Sequence, residues 1–412
     1  MIEPSATAAR TALTGGLPTS ATVASAFLAV PRHEFLSGLG AAQAYQDASV
    51  VTKSDADGLP VSAGTQPALM AVMLDQLGLA PGQRVLEIGT GTGYNAALLA
   101  HLVGDQRSVV TVEVDSEVAE SARSALASAG LTGITVLCTD GALGAPEQGP
   151  FDRVIVTAGV WDIPPAWLSQ VAAGGRIVLP LSVRGIQLSV ALGRDGDQWT
   201  SGSACRCVMI TLAGAFAGPE SVLALGPQPG LHGYVVDGAA PGPDALYQAL
   251  SGPVTEVPTG LRVADRAELG DLDLWLTVTH RRLSRVNMLG RHEGKASAAQ
   301  RRIADLMPLG GLCDASAGPF AVAAVNRGGA DRNQAAPFEA VVQGYGPGGA
   351  ALAARLAGRA TAWHEQGRPG TARLQLTVYP LDTEPVPVGG GLILRRPHAF
   401  LSVGWPTMPV VR

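Results

Sequence analysis

Residues 84–95 read Arg84-Val85-Leu86-Glu87-Ile88-Gly89-Thr90-Gly91-Thr92-Gly93-Tyr94-Asn95. This is the pattern of a buried strand that runs into a glycine-spaced turn and then opens a helix. Three alternating glycines permit positive φ and let the backbone approach a bulky ligand closely. A dinucleotide fingerprint needs Gly-x-Gly-x-x-Gly, but the residue three after Gly91 is Tyr94, so that reading fails by one position. Glu87, just ahead of the first glycine, is also wrong for a pyrophosphate, which wants helix-end amides and no adjacent anion. An acid there suits a ligand carrying positive charge, such as the sulfonium and amino group of S-adenosylmethionine. Glu87, Gly89, Thr90, Gly91, Gly93 and Tyr94 are therefore the first candidate cofactor residues. The plain alternative is a glycine-rich strand-to-helix turn that binds nothing.

The chain downstream supports the cofactor reading. A strand is expected over Ser108–Val114 and a helix over 116–129. Glu113, with Val114 beside it, lies near the end of that strand, where an acidic side chain can accept hydrogen bonds from two ribose hydroxyls. A third strand, Ile134–Thr139, ends in Asp140-Gly141. The Asp140 carboxylate can accept from an adenine amino group while Gly141 keeps the wall flat. Asp-Gly is also a common turn dipeptide, so this pair alone decides nothing.

A chain of 412 residues is too long for one ordinary α/β domain, and two are expected, divided at 215/216. A net charge of −5 gives no reason to expect nucleic acid or an anionic membrane as partner. No apolar run approaches the length of a membrane span and no secretion signal is visible, which suggests a cytoplasmic protein. Four cysteines (Cys138, Cys205, Cys207, Cys313) do not make a disulfide framework and match no zinc spacing. Cys205 and Cys207 would share one face of a strand, where packing is the simplest account. No histidine stands near a Cys or Asp at ligand or triad spacing, although His33 and His398 sit in polar company.

Strand and helix continue to alternate after Asp140. Strands are expected at Phe151–Val160, Arg176–Val183, Gln187–Leu192 and Cys205–Leu212, with a short helix over Pro165–Val171 closed by Gly174-Gly175. The turn Asp195-Gly196-Asp197 separates two of these strands. Such alternation predicts an α/β, Rossmann-like, doubly wound and mostly parallel sheet, with its ligand at the carboxyl ends of the strands. Past residue 215 the texture changes. Gly/Pro-rich stretches at Gly226–Gly242 and Gly328–Pro337 interrupt expected strands (Leu272–Val278, Leu374–Tyr379) and helices (Ser297–Met307, Ala350–Gln366). This part reads as a C-terminal α+β domain whose chemistry is not legible from pattern.

Residues 23–185 resemble the protein-L-isoaspartate O-methyltransferase family, a branch of the class I, S-adenosylmethionine-dependent methyltransferases. The likeness begins at Val30-Pro31-Arg32-His33-Glu34-Phe35 and continues through Ala44-Tyr45-Gln46-Asp47 and Gly64-Thr65-Gln66-Pro67. It then takes in the glycine turn, Thr139-Asp140-Gly141, Phe151-Asp152, Ile163-Pro164, Gly174-Gly175-Arg176 and Pro180-Leu181. The family usually has a serine where this chain has Thr65. The resemblance implies methyl transfer to a peptide carboxylate, typically the free α-carboxylate of an isoaspartyl residue. By matching position, Thr65 with Gln66 is the candidate carboxylate clamp, and Ser62 is a second hydroxyl close by. Thr65 could equally cap the helix opened by Pro67, and both roles could hold at once.

Leu179–Gly185, Ala213–Gly218 and Trp363–Pro369 are also similar to a C-terminally extended subgroup found in lanthipeptide and graspetide maturation. The resemblance implies methylation of one Asp in a ring-modified precursor peptide, whose ester closes to an aspartimide or reopens to isoaspartate. Arg184 and Arg368 are candidate contacts to a substrate carboxylate. Three readings follow: peptide maturation, repair of isoaspartyl damage in many proteins, and a non-catalytic nucleotide-fold module that binds a peptide or partner.

Overall fold

The structure, a computed structural model, describes residues 5–219, 221–226, 231–235, 242–280, 284–290, 311–314, 321–327 and 337–406. Its strands are β1 (Val50–Ser54), β2 (Pro60–Gly64), β3 (Val85–Ile88), β4 (Val109–Glu113), β5 (Thr135–Cys138), β6 (Phe151–Val156), β7 (Val171–Val183), β8 (Ile186–Asp195) and β9 (Gln198–Cys207). The chain continues with β10 (Ser221–Ala224), β11 (Leu231–Val235), β12 (Val254–Val263), β13 (Ser284–Gly290), β14 (Gly311–Asp314), β15 (Ala321–Arg327) and β16 (Phe338–Tyr345). It ends with β17 (Gln375–Tyr379), β18 (Leu392–Arg395) and β19 (Phe400–Gly404).

The main sheet has ten strands in the order β18-β19-β17-β9-β8-β7-β6-β3-β4-β5. Strands β7, β6, β3, β4 and β5 are mutually parallel, as the alternation of strand and helix predicts. Beyond β7 the pairing is antiparallel. The tight turns at Arg184-Gly185 and Asp195–Gln198 leave no room for a crossover, and without one neighbouring strands cannot run parallel. From β3 the chain moves outward to β4 and β5, then jumps back to β6 on the other side of β3. The switch point of the sheet is thus at the carboxyl ends of β3 and β6, where a nucleotide crevice is expected.

Period-two burial sorts the side chains of these strands into two cores. Val85, Val109, Ile155 and Val178 face helices Ala21–Ala29, Pro67–Leu77 and Tyr94–Val103. Leu86, Ile88, Val110, Val112, Val154, Val156, Ile177 and Leu179 face the opposite core. At roughly 1.5–3 kcal/mol for each fully buried aliphatic side chain, this double-sided burial is the main force holding the parallel half together.

Three local expectations shift. The strand at Phe151 ends at Val156, and Val160 makes only an isolated bridge to Leu181. Gly174-Gly175 does not close a helix but lies within β7, where pairing with β6 skips from Val171 to Arg176. Similarly, the strand expected over Cys205–Leu212 ends at Cys207.

The second sheet is antiparallel, in the order β10-β11-β13-β14-β15-β16-β12, and is packed by helices Arg266–Thr279 and Gly349–Glu365. Residues Leu272–Val278, expected as a strand, belong to the first of these helices. Leu274 and Val278 join the core of the main sheet, whereas Leu269, Leu272, Trp275 and Leu276 join that of the second. A helix buried on all sides loses its amphipathic signature and reads like a buried strand. Its start was nonetheless written locally: Asp265 accepts from the Glu268 amide (2.9 Å) while the Glu268 carboxylate accepts from the Ala264 amide. At the same junction the buried Asp273 carboxylate accepts from Arg285 at 2.7 Å and Arg206 at 3.4 Å.

The boundary expected at 215/216 is crossed twice. The chain leaves the main sheet there and returns at β17, whose Thr377 and Val378 pair with Thr200 and Trp199 of β9. The helix expected at Ala350–Gln366 is present as Gly349–Glu365. The helix expected at Ser297–Met307 and the Gly328–Pro337 stretch, apart from Pro337, lie outside the described residues. Among the described residues no helix is long and apolar enough to cross a membrane.

Candidate active site

The glycine turn sits at the switch point. Gly89, Gly91 and Gly93 have φ of +98°, +52° and +82°, a region that disfavours any side chain. A Cβ on Gly89 would lie 2.6 Å from Thr157 Oγ1, so the turn passes directly over the end of β6. Thr157 fixes this approach by donating to the carbonyls of Ile88 (3.0 Å) and Gly89 (2.6 Å). The Gly89 and Thr90 amides donate to Val112 O at 2.8 and 3.2 Å, which ties the turn to β4 as well.

Glu87 occupies a different place from the one expected. It is fully buried; Oε1 accepts from Asn95 Nδ2 (2.7 Å) and Oε2 from Thr111 Oγ1 (2.6 Å). Thr111 Oγ1 in turn lies 2.7 Å from Thr90 Oγ1. Burial pushes the Glu87 carboxyl up to about 7, against hydrogen bonds that favour the ionised form. Glu87 therefore braces the turn from behind instead of facing a ligand. Tyr94 is corrected too: its ring is buried against Phe27 (centroids 6.2 Å apart) and Phe35 (5.6 Å), and burial raises its hydroxyl pKa. Only its backbone, at the first turn of helix Tyr94–Val103, is near the glycine turn.

Glu113 and Asp140 end adjacent strands. Glu113 Oε2 accepts from the Gly91 amide at 3.0 Å, and Oε1 from the amides of Val114 (3.0 Å) and Asp115 (3.2 Å). Asp140 Oδ1 accepts from Ala142 N and Oδ2 from Ala215 N, each at 2.8 Å. Both carboxylates are partly exposed, with lone pairs left to accept hydroxyl or amino protons. Val114 and Leu143 expose 46% and 58% of their surface beside these acids, offering apolar area to a flat base. Gly141 is close-packed: a Cβ there would meet Ile88 Cγ2 at 2.8 Å. A turn open at Gly91, apolar walls and two carboxylates at adjacent strand ends fit the adenosine part of S-adenosylmethionine.

The hairpin β1–β2 borders the same crevice. Ser62 is buried, accepts from Thr52 Oγ1 (3.1 Å), and would lie 4.0 Å from a Cβ on Gly91. Lys53 pairs with Asp115 and Glu117, both at 2.7 Å, clasping the hairpin to the helix after β4. Thr65 and Gln66 follow directly. Thr65 does not cap the next helix; Asp47 does, accepting from Ala68 N at 2.8 Å and from Gln66 Nε2 at 2.9 Å. The half-buried Thr65 hydroxyl makes no hydrogen bond among the described residues, whereas its carbonyl accepts from Arg32 Nη2 at 3.0 Å. Arg32 is itself buried and also donates to the carbonyls of Ala44, Gln46 and Ala48; desolvation lowers its pKa.

Arg32, Asp47, Asn95, Thr111 and Thr157 are the supporting residues that pattern reading did not assign. Arg32 and Asp47 were visible only as parts of a likeness, and the other three are ordinary residues of a helix (Asn95), a strand (Thr111) and the position just past β6 (Thr157). Arg184 and Arg368, expected to contact substrate, are engaged within the protein. Arg184 donates to the carbonyl of His280 at 2.9 Å, at the end of helix Arg266–Thr279. Arg368 pairs with Glu268 at 2.7 Å and covers the Trp363 ring.

Comparison with known proteins agrees with this geometry. Residues 10–215 match the family model described as Protein-L-isoaspartate(D-aspartate) O-methyltransferase (PCMT). The chain is similar to a Protein-L-isoaspartate O-methyltransferase of Syntrophotalea carbinolica, 37% identical over 204 residues, which are 48% of this chain and 88% of that protein. It is likewise similar to a protein of the same description from Thermotoga maritima, 40% identical over 163 residues (39% of this chain); there the match spans 51% of the relative's length. A solved structure titled protein-L-isoaspartate O-methyltransferase shares the fold over 96% of this chain and 99% of its own, with a TM-score of 0.50 and 23% identity. The C-terminal region thus has a counterpart in fold in that structure. With the crevice, its paired acids and the match over residues 10–215 in agreement, the chain belongs to the protein-L-isoaspartate(D-aspartate) O-methyltransferase family, whose members are S-adenosylmethionine-dependent carboxyl O-methyltransferases.

Proposed function

We propose that the chain methylates the free carboxylate of an isoaspartyl residue in peptides or proteins. The observation that carries this reading is the Thr65 hydroxyl, presented by the hairpin beside the glycine turn without a partner of its own among the described residues. S-adenosylmethionine supplies an electrophilic methyl group on a sulfonium. The chain's residues then need only bind and orient. Glu113 and Asp140 would hold the ribose and adenine, the glycine turn would pass close to the cofactor, and Thr65 with Gln66 would clamp the carboxylate. A carboxylate is ionised at neutral pH, so no general base is needed to make it a nucleophile. Rate acceleration would come mainly from proximity and orientation.

A second reading is methylation of an Asp side chain in a ring-modified precursor peptide. It draws support from the second sheet, which offers a surface for one folded peptide, and from threonine at position 65. Methylation turns the carboxylate oxygen into a methoxide leaving group. The next backbone nitrogen then attacks the carbonyl, methanol departs and a five-membered imide closes.

Peptide mass, followed after incubation with S-adenosylmethionine, separates the two. The substrates are a linear isoaspartyl peptide and a ring-modified precursor peptide. Methylation of the linear peptide supports repair; methylation or loss of one water on the cyclic peptide alone overturns it in favour of maturation. Cofactor binding with neither product would leave a non-catalytic module.

A further inference from the structure

Beyond β9 the segment 213–218 crosses from the core to the C-terminal strands, and it is held at three points. The Ala215 amide donates to Asp140 Oδ2 at 2.8 Å. Gly214, at φ +94°, allows this approach; a Cβ there would sit 2.6 Å from the same oxygen. The Phe216 ring lies on the His398 ring, centroids 4.7 Å apart at 35°. Gly218 packs on Trp161, with only 2.8 Å between a Cβ on the glycine and that of the tryptophan.

Two of these points, Phe216 and Gly218, lead to one turn of the returning strands. His398 is fixed through Asp162, a 3% exposed carboxylate that takes both its ring Nδ1 (2.8 Å) and its backbone N–H (3.0 Å). The other Asp162 oxygen accepts from Ile163 N at 2.8 Å. Arg396 covers the Trp161 ring at 4.2 Å and donates to Ser182 O at 3.2 Å. The turn itself is closed by Arg396 N donating to Ala399 O at 2.8 Å. The sequence offered no histidine paired with an aspartate; the fold makes one from residues on opposite sides of the C-terminal region.

We propose that the β18–β19 turn braces the 213–218 segment, so that His398 and Phe216 are positioning residues that orient the Asp140 carboxylate for the adenine amino group. This rests on the reading of Asp140 given above. With one oxygen held by Ala142 and the other by Ala215, the carboxylate plane is fixed and its remaining lone pairs point in set directions. Release of Phe216 frees Ala215, and Asp140 is then held by one amide only. The returning strands thereby become part of cofactor recognition.

The test uses the full chain and calorimetric affinities for S-adenosylhomocysteine and its inosine counterpart, which lacks the amino group. Phe216→Ala and His398→Ala are expected to weaken the adenosyl ligand about tenfold, the scale of one charge-assisted hydrogen bond, with the inosyl ligand unchanged. Phe216→Tyr restores affinity, and exchange of the Ala215 amide in the ligand-free protein quickens in both alanine variants. At saturating cofactor kcat is retained while the cofactor KM rises. If the Phe216 and His398 variants keep wild-type affinity and Ala215 protection while Asp140→Leu, which has no acceptor, loses discrimination, the brace is wrong and the Asp140 reading stands. If Asp140→Leu still discriminates as the wild type does, the Asp140 reading falls and takes the brace with it.

Discussion

Asp47 caps a helix from twenty-one residues upstream, its carboxylate taking both the Ala68 amide at 2.8 Å and the Gln66 side chain at 2.9 Å. One acid thus satisfies an orphan helix amide and sets the residue next to Thr65. Asp47→Ala is expected to cost about 1 kcal/mol in denaturant unfolding, the usual loss for an N-cap. Methyl transfer should fall further than this stability loss explains, because Gln66 is freed at the same time. Equal activity at a temperature well below the transition would show that Gln66 needs no holding.

Thr65 is relieved of capping, so its hydroxyl can be tested cleanly. Thr65→Val removes the donor at nearly constant volume and should lower kcat/KM by about tenfold to a hundredfold. Cofactor affinity and unfolding temperature should stay where they are, and Thr65→Ser should keep most of the activity. A valine variant with full activity would remove Thr65 from the clamp.

Glu87 links stability to pH. Its folded pKa, raised by burial to about 7 from an ordinary 4.5, lies above that of the unfolded chain. Between those values the native state binds the extra proton, so this residue's contribution is complete below pH 4.5 and is lost as pH rises toward 7. Unfolding of wild type and Glu87→Gln across that range should show the variant gaining on the order of 3 kcal/mol relative to wild type. A difference that stays flat with pH would mean that Glu87 titrates normally.

The junction of the two sheets depends on Asp273, which is buried with Arg285 at 2.7 Å and within 3.4 Å of Arg206. Asp273→Asn removes the buried carboxylate that both guanidinium groups approach and should destabilise by about 3–5 kcal/mol. The loss should appear in unfolding followed through Trp275, in the same helix. A change below about 1 kcal/mol would mean that Thr277, which also accepts from Arg285 at 2.7 Å, carries the site.

The residues from Val85 to Tyr94, with Glu113 and Asp140, were readable because their signals are local. Glycines that need positive φ, period-two burial and acids at strand ends are properties of a few consecutive residues. The same locality misled where context decides. Leu272–Val278 is apolar on every side because two cores grip it, and Glu87 looks like a ligand contact until Asn95 and Thr111 claim both its oxygens. The Asp162–His398 pair spans 236 residues, and β17 reaches β9 only after the second sheet has been completed. The sequence by itself determined the glycine turn after β3 and the acids near the ends of the neighbouring strands, since backbone conformation and alternation are set by neighbours along the chain. Only the tertiary structure decided which carboxylates remain able to accept a ligand's protons and which are taken up in the protein, because burial and hydrogen bonding depend on groups that meet in space.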